Sequence, residues 1–282
     1  MLRLKSRSIS AAVLALALAG CGGGGSSNSG DKSTQPANTT PQTTTTSNTD
    51  YSVTGTAPAV TGVNGIVAAV FAPDTLTSTG LTGDGFTTST APLSSQVQQS
   101  NYGGAFTTVA STNGAVTLTK KSTIADINGA GGYIAIGRWT NGSDSSGGNY
   151  TANQGAHYAI GAPLVMPTTG TGSLACSNLM ATSPTSAAGN VAPGSLQTAT
   201  ATLDLGTLTI KNFSATVTIG SDTAATFSKA SASSGGEAFG GGVTVMTRLM
   251  GTDTTKPLIA VAYGAKLANT GDINGLVVLT CQ

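Results

Sequence analysis

The chain has 282 residues and a formal net charge of +1, and only 8% of its residues are charged, against about 25% in an ordinary globular protein. Twelve cations balanced by eleven anions supply no basic face for a nucleic acid, and near-absence of glutamate rules out a coiled coil or charged helical bundle. A 39% hydrophobic content with almost no net charge excludes wholesale disorder, while 39 glycines, 47 threonines and 30 serines fit β structure with many turns.

Residues 1–20 read as a bacterial lipoprotein signal peptide. Arg3, Lys5 and Arg7 form a positive start, and residues 9–18 an apolar run too short to span a bilayer as a mature helix. Leu18-Ala19-Gly20-Cys21 then has the lipobox pattern, small residues ahead of a cysteine whose thiol takes a diacylglycerol before cleavage. The bland alternative is an ordinary secretory peptide with an incidental cysteine. Cys21 is thus the expected lipidation site, and several acyl chains there give firm membrane anchoring where one chain is marginal. Gly22 rather than an aspartate follows it, which favours the outer membrane, with either its surface or its periplasmic face open.

Residues 21–50 are expected to form a disordered tether. Between 22 and 50 there is no Val, Ile, Leu, Met, Phe, Tyr or Trp, so nothing offsets the entropy of ordering. As a flexible coil the segment spans roughly 30 Å. With Cys21 acylated, Cys176 and Cys281 remain. An even remainder in an oxidising compartment points to one disulfide, the alternative being two buried thiols.

From Tyr51 onward short apolar or alternating runs are separated by turn signals. Asn64-Gly65 leads into Ile66-Val67-Ala68-Ala69-Val70-Phe71, a run of the fully buried type that ends at Pro73-Asp74. Val116 to Thr119 alternates. Tyr133 to Trp139 precedes a turn at Asn141-Gly142, and Ala156 to Gly161 ends before Pro163. Phe213, Ala215, Val217 and Ile219 share one face, with Ser214, Thr216 and Thr218 on the other, as in a half-buried strand. Val243 to Val245, Leu258 to Tyr263 and Leu276 to Leu279 complete the set. The pattern is all-β and antiparallel, a sandwich or an up-and-down barrel. The aromatics are too few and scattered for the girdles of an outer-membrane barrel, which favours a soluble one.

Gly137-Arg138-Trp139-Thr140-Asn141-Gly142 followed by Gln154 to Pro163 resembles the opening hairpin of transferrin-binding-protein-like β-barrel lipoproteins of Gram-negative bacteria. Phe239-Gly240, Ala262-Tyr263-Gly264-Ala265 and the stretch from Gly271 to Leu279 are similar to the closing strands of that barrel. Asp272-Ile273-Asn274-Gly275 stands where the family has a Glu-Gly-Gly step. The resemblance implies an antiparallel barrel of about eight strands over residues 131–282, with 51–130 as an N-terminal β-rich extension. It further implies a surface or periplasmic lipoprotein whose relatives are receptors for host iron proteins or haem, or have no known role.

Catalytic chemistry is poorly provided for. The single histidine, His157, is the only base available to a Ser or Cys nucleophile, and it lies on an expected strand. No nucleophile elbow or phosphate loop occurs. The aspartates stand alone beside turns, where they commonly bond their own backbone. No catalytic residue, no metal site and no cofactor is expected. Candidate ligand-binding residues are Tyr133, Trp139, His157 and Tyr158. Tyr133 and Trp139, six apart, share a face if they lie in one strand, and His157 or a tyrosine is a candidate haem ligand. The bland reading puts these side chains in the core.

The resulting expectation is a non-enzymatic, outer-membrane-anchored lipoprotein. Its partners are the membrane through its lipid, and a host or envelope protein or haem, but not nucleic acid. The alternative is a structural or adhesive envelope lipoprotein without a soluble ligand, and a third reading is a hydrolase built on His157. Metabolic labelling with an alkyne-bearing palmitate is expected to mark the protein, and Cys21→Ser to abolish the label. A label that persists in the variant overturns the assignment of the anchor.

Overall fold

The computed structural model describes residues 45–47, 50–81, 88–93, 96–111, 114–168 and 170–282. The signal peptide, Cys21 and the tether up to residue 44 lie outside the described residues. Every regular element among the described residues is a β-strand. The principal strands of the first part are β1 (Thr45–Ser47), β2 (Ser52–Gly55), β3 (Ile66–Ala72), β4 (Thr88–Pro92), β5 (Gln98–Gln99), β6 (Phe106–Ser111), β7 (Gly114–Thr117), β8 (Thr123–Ala130), β9 (Ile134–Thr140) and β10 (Ala156–Gly161). Those of the second part are β11 (Ser173–Ala181), β12 (Ser195–Asp204), β13 (Thr209–Ile219), β14 (Asp222–Ser233), β15 (Glu237–Ala238), β16 (Val243–Met250), β17 (Leu258–Leu267) and β18 (Gly271–Cys281).

The second part is the expected antiparallel up-and-down barrel. Its eight strands run β14-β13-β12-β11-β18-β17-β16-β15. The first and last strands pair directly, from Cys176 opposite Cys281 to Ala181 opposite Val277. The seam falls instead between β14 and β15, neighbours in the chain that occupy the two ends of the sheet. Side chains bridge it. Lys229 Nζ donates to the carbonyls of Gly240 (2.9 Å) and Val243 (3.2 Å), and Thr247 Oγ1 donates to Ser233 O (2.8 Å).

Period-two alternation fills the barrel. Phe213, Ala215, Val217 and Ile219 of β13 point inward, with Phe227, Val245, Ile259, Val261, Tyr263, Val277 and Leu279 from other strands. Ser214, Thr216 and Thr218 face outward. β16, β17 and β18 are different, because they are buried on both faces. Their outward side chains, among them Met246, Met250, Ala260, Ala262, Leu276 and Val278, pack against Ala68 and Val70 of β3, Ile134 and Ile136 of β9, and Ala159 of β10.

Those last strands belong to a second sheet, ordered β1-β2-β8-β9-β10-β3-β4. All its pairs are antiparallel except β2 with β8. Its far face carries Phe71, Trp139, Tyr158 and Ile160, which form a third core with Phe106, Val109 and Val116 of the small β5-β6-β7 sheet. The protein is therefore layered: small sheet, seven-stranded sheet, barrel.

Two expectations are corrected. The strands over 134–140 and 156–161, placed by resemblance at the opening of the barrel, lie in the seven-stranded sheet. Both are buried along their whole length, and they pair with each other, with β8 and with β3 rather than with any barrel strand. Residues 45–47, expected within the tether, form edge strand β1, with Thr46 opposite Val53.

Two glycines permit a recurring packing device. Gly137 lies directly opposite Tyr158, and Gly275 directly opposite Tyr263. A side chain at either glycine would overlap the tyrosine hydroxyl, so each ring lies across the backbone of its neighbour. At the other end of the barrel, Cys176 and Cys281 form the expected disulfide between directly opposed residues, with a Cα–Cα distance of 4.0 Å and a sequence separation of 105.

Peptide mapping without reductant is expected to recover Cys176 linked to Cys281, and two free thiols would refute the pairing. The double variant Cys176→Ser/Cys281→Ser should lose about 2–5 kcal/mol in denaturant unfolding. Lys229→Met, which removes two of the bonds across the seam, should lose about 1 kcal/mol.

Candidate functional site

The residues singled out in the sequence do not form one surface. Trp139 and Tyr158 lie on the face of the seven-stranded sheet turned toward β6, and both are fully buried. Phe71 meets the Trp139 ring edge-on at 5.1 Å, and Phe106 meets Tyr158 at 5.9 Å. Their polar atoms grip a single residue: Trp139 Nε1 donates to Phe106 O (2.8 Å), and Phe106 N donates to the Tyr158 hydroxyl (3.1 Å). Burial pushes the Tyr158 phenol well above its ordinary range, so it stays protonated. These two aromatics fasten the small sheet to the large one.

Tyr133 is half-buried in the turn before β9 and packs beside the cluster between large sheet and barrel, on the side opposite Trp139. The expected shared face fails because Tyr133 precedes the strand, at the end of a turn through Gly131 (φ 57°) and Gly132 (φ 73°). An accessible aromatic patch is thereby corrected to core packing on two different faces.

His157 points the other way, toward the barrel, and is fully buried. Its Nδ1 lies 2.8 Å from Thr182 Oγ1, and its Nε2 lies 3.1 Å from Thr185 Oγ1 and 3.2 Å from Asn274 Oδ1. Because the Asn274 oxygen only accepts, Nε2 carries the proton and Nδ1 accepts from Thr182. Thr182 Oγ1 in turn accepts from Leu276 N (3.1 Å), and Asn274 Nδ2 donates to Pro73 O (3.1 Å). Burial, then the Arg138 guanidinium, hold the imidazole pKa down to about 3, against smaller opposite pulls from Asp126 and Asn274. With both nitrogens engaged and no exposed surface, His157 is placed neither as a general base for a solvent-borne substrate nor as an iron ligand.

Beside it runs a network that sequence reasoning missed. Arg138 Nε pairs with Asp126 Oδ2 at 2.7 Å, and the same carboxylate accepts from Ser183 N (2.9 Å) and Ser183 Oγ (3.1 Å). Asp126 sits at a bulge in β8 with φ of 56°, the left-handed region. This turns its carboxylate from the large sheet toward the segment that follows β11. Arg138 Nη1 is buried with no hydrogen-bond partner among the described residues. Thr182 and Thr185 carried no signal among 47 threonines. Asn274 lies in the stretch Asp272-Ile273-Asn274-Gly275, which sequence reasoning noted without assigning Asn274 a role.

Among the described residues, no three His, Cys, Asp or Glu side chains come together as a metal site would require. One concavity opens at the end of the barrel where β11 begins. It has a volume of about 340 Å³ and is lined by Met166 and Pro167 of the β10–β11 connection, Leu174 of β11, Leu205 of the turn after β12, and Thr254 and Thr255 between β16 and β17.

The neutral His157 sets a pH dependence. Its folded pKa lies below the ordinary 6.5, so its contribution is fully present above pH 6.5 and is lost as pH falls toward 3. Unfolding free energy should fall by up to about 1.4 kcal/mol per pH unit across that window. His157→Gln should flatten the slope whatever its own stability. Equal slopes in urea titrations of the two proteins would refute the assignment.

No protein-family model matches the chain, and no curated protein matches it. Among solved structures, it is similar to two of the vaccine antigen transferrin binding protein B from Haemophilus parasuis Hp5. With a tryptophan-to-alanine mutant the identity is 8% and the TM-score 0.30, covering 77% of this chain and 45% of that one. With a tyrosine and tryptophan double mutant the identity is 10% and the TM-score 0.27, covering 77% and 44%. The chain thus spans less than half the length of the transferrin binding protein B chains it matches.

Proposed function

We propose that this protein is a non-catalytic binding module, anchored to the outer membrane through a lipid on Cys21, that takes a macromolecular partner on its outer surface. The observation that carries the reading is the filled barrel. Phe213, Phe227, Tyr263 and the aliphatic side chains around them occupy its interior, so recognition falls to its ends and outer wall. The lipobox and the apolar-free stretch from 22 to 50 support display away from a membrane. Phe239, 69% exposed and followed by three glycines, offers an apolar anchor at one end of the barrel. A host iron protein is the partner class that the sequence resemblance brings to this reading.

A second reading, an adhesive envelope component, is favoured by the outward face of β12, β13 and β14. There Thr198 lies opposite Thr216 and Thr216 opposite Thr226, in an uncharged row of hydroxyls.

Protease shaving of intact cells, with surface plasmon resonance against iron-loaded and iron-free transferrin, tests the proposal. Release of the protein by protease and saturable binding weakened at least tenfold by Phe239→Ala support it. Protection from protease on intact cells, or turnover of any substrate abolished by a single substitution, overturns it. Attachment that falls on deletion of the gene, with no soluble ligand bound, favours the adhesive reading.

A further inference from the structure

The concavity at the barrel end has features of a small-molecule site rather than a packing flaw. Its volume of about 340 Å³ is roughly eleven times the ~30 Å³ that a liquid water occupies, which suits a chain of about ten heavy atoms, and barrel mouths are a usual place for such sites. Met166, Pro167, Leu174 and Leu205 make the walls. Among the described residues, no aromatic ring lines it for stacking and no charged side chain lines it for a salt link, and the thioether of Met166 adapts to flexible aliphatic groups. The polar lining is confined to two threonines. Thr255 Oγ1 is engaged with Asp253 at 2.7 Å, whereas Thr254, on the exposed turn, has no such bond among the described residues.

We infer that this concavity binds an unbranched aliphatic chain of about ten heavy atoms whose polar head hydrogen-bonds the Thr254 hydroxyl. The chain lies along Met166, Leu174 and Leu205, which come from three separate segments that the barrel brings together. The head stays at the mouth, in water. The inference does not depend on the lipid at Cys21 or on a macromolecular partner. The same chemistry is available from a free amphiphile and from a membrane lipid.

The test uses the full chain carrying Cys21→Ser, with its methionine methyls labelled for NMR. Titration with decan-1-ol should shift the Met166 methyl saturably. Met246 and Met250, buried between barrel and large sheet, should not move. Butan-1-ol should bind at least tenfold more weakly, and Leu205→Gln should weaken decan-1-ol at least tenfold with Met246 and Met250 unchanged. Should Leu205→Gln fail to fold, Thr254→Trp, which closes the mouth from an exposed turn, should have the same effect. Co-sedimentation with phosphatidylethanolamine–phosphatidylglycerol vesicles, lost in the same variant, identifies membrane lipid as the source, and a decan-1-ol response without it identifies a free amphiphile. No saturable shift up to the solubility limit, movement of all methionine methyls together, or wild-type titration by a folded variant overturns the inference.

Discussion

The wall made by β16, β17 and β18 is buried on both of its faces, and the rest of the architecture follows from that constraint. One face closes the barrel interior around Tyr263, Val261 and Val277, while the other receives β3, β9 and β10. A strand with water on one side alternates apolar and polar residues. A strand with protein on both sides reads as a near-continuous apolar run, as 258–265 and 276–279 do. Because the same backbone serves two cores, barrel and large sheet share a rigid partition. A polar side chain on either face of it has no water to bond and needs a partner within the protein.

The partition also carries polar groups; among the described residues Thr244 Oγ1, the Tyr263 hydroxyl and Arg138 Nη1 are buried there without a hydrogen bond, and the others are linked. His157, Thr182, Thr185 and Asn274 form a closed set across it, and Asp126 ties Arg138 to Ser183 beside them. Buried polar groups cost free energy unless paired. A slip of one layer against the other would break several of these bonds at once, so the network defines a single register. The aromatic clamp on Phe106 plays the corresponding part on the far face, where both main-chain polar groups of one residue are held by Trp139 and Tyr158.

This packing sets which surfaces are open to a partner. Side chains that suggested a binding patch hold layers together, and the barrel is filled. Among the described residues, the barrel ends offer Phe239 on its glycine-rich turn at one, and the aliphatic concavity lined by Met166, Leu174 and Leu205 at the other. A filled, disulfide-tied barrel holds such features in fixed positions, which lowers the entropy that binding must overcome.

Much of the fold was legible locally. Residues 213–219 alternate as a half-buried strand does, and the run at 66–71 is apolar as a strand buried on both sides is. Two cysteines left after the lipobox point to one disulfide, and they do pair. The sequence by itself determined that the chain is all-β, that 66–71 is a strand of the fully buried type and 213–219 a half-buried one, and where its candidate anchor lies. Only the tertiary structure decided what covers each face: that 134–140 and 156–161 stand outside the barrel, that Trp139 and Tyr133 pack on opposite sides, and that His157 meets Asn274, 117 residues away. The physical reason is range. Burial leaves its mark in the periodicity of neighbouring residues, whereas the identity of the covering layer depends on contacts between segments far apart in the chain, to which local periodicity is blind.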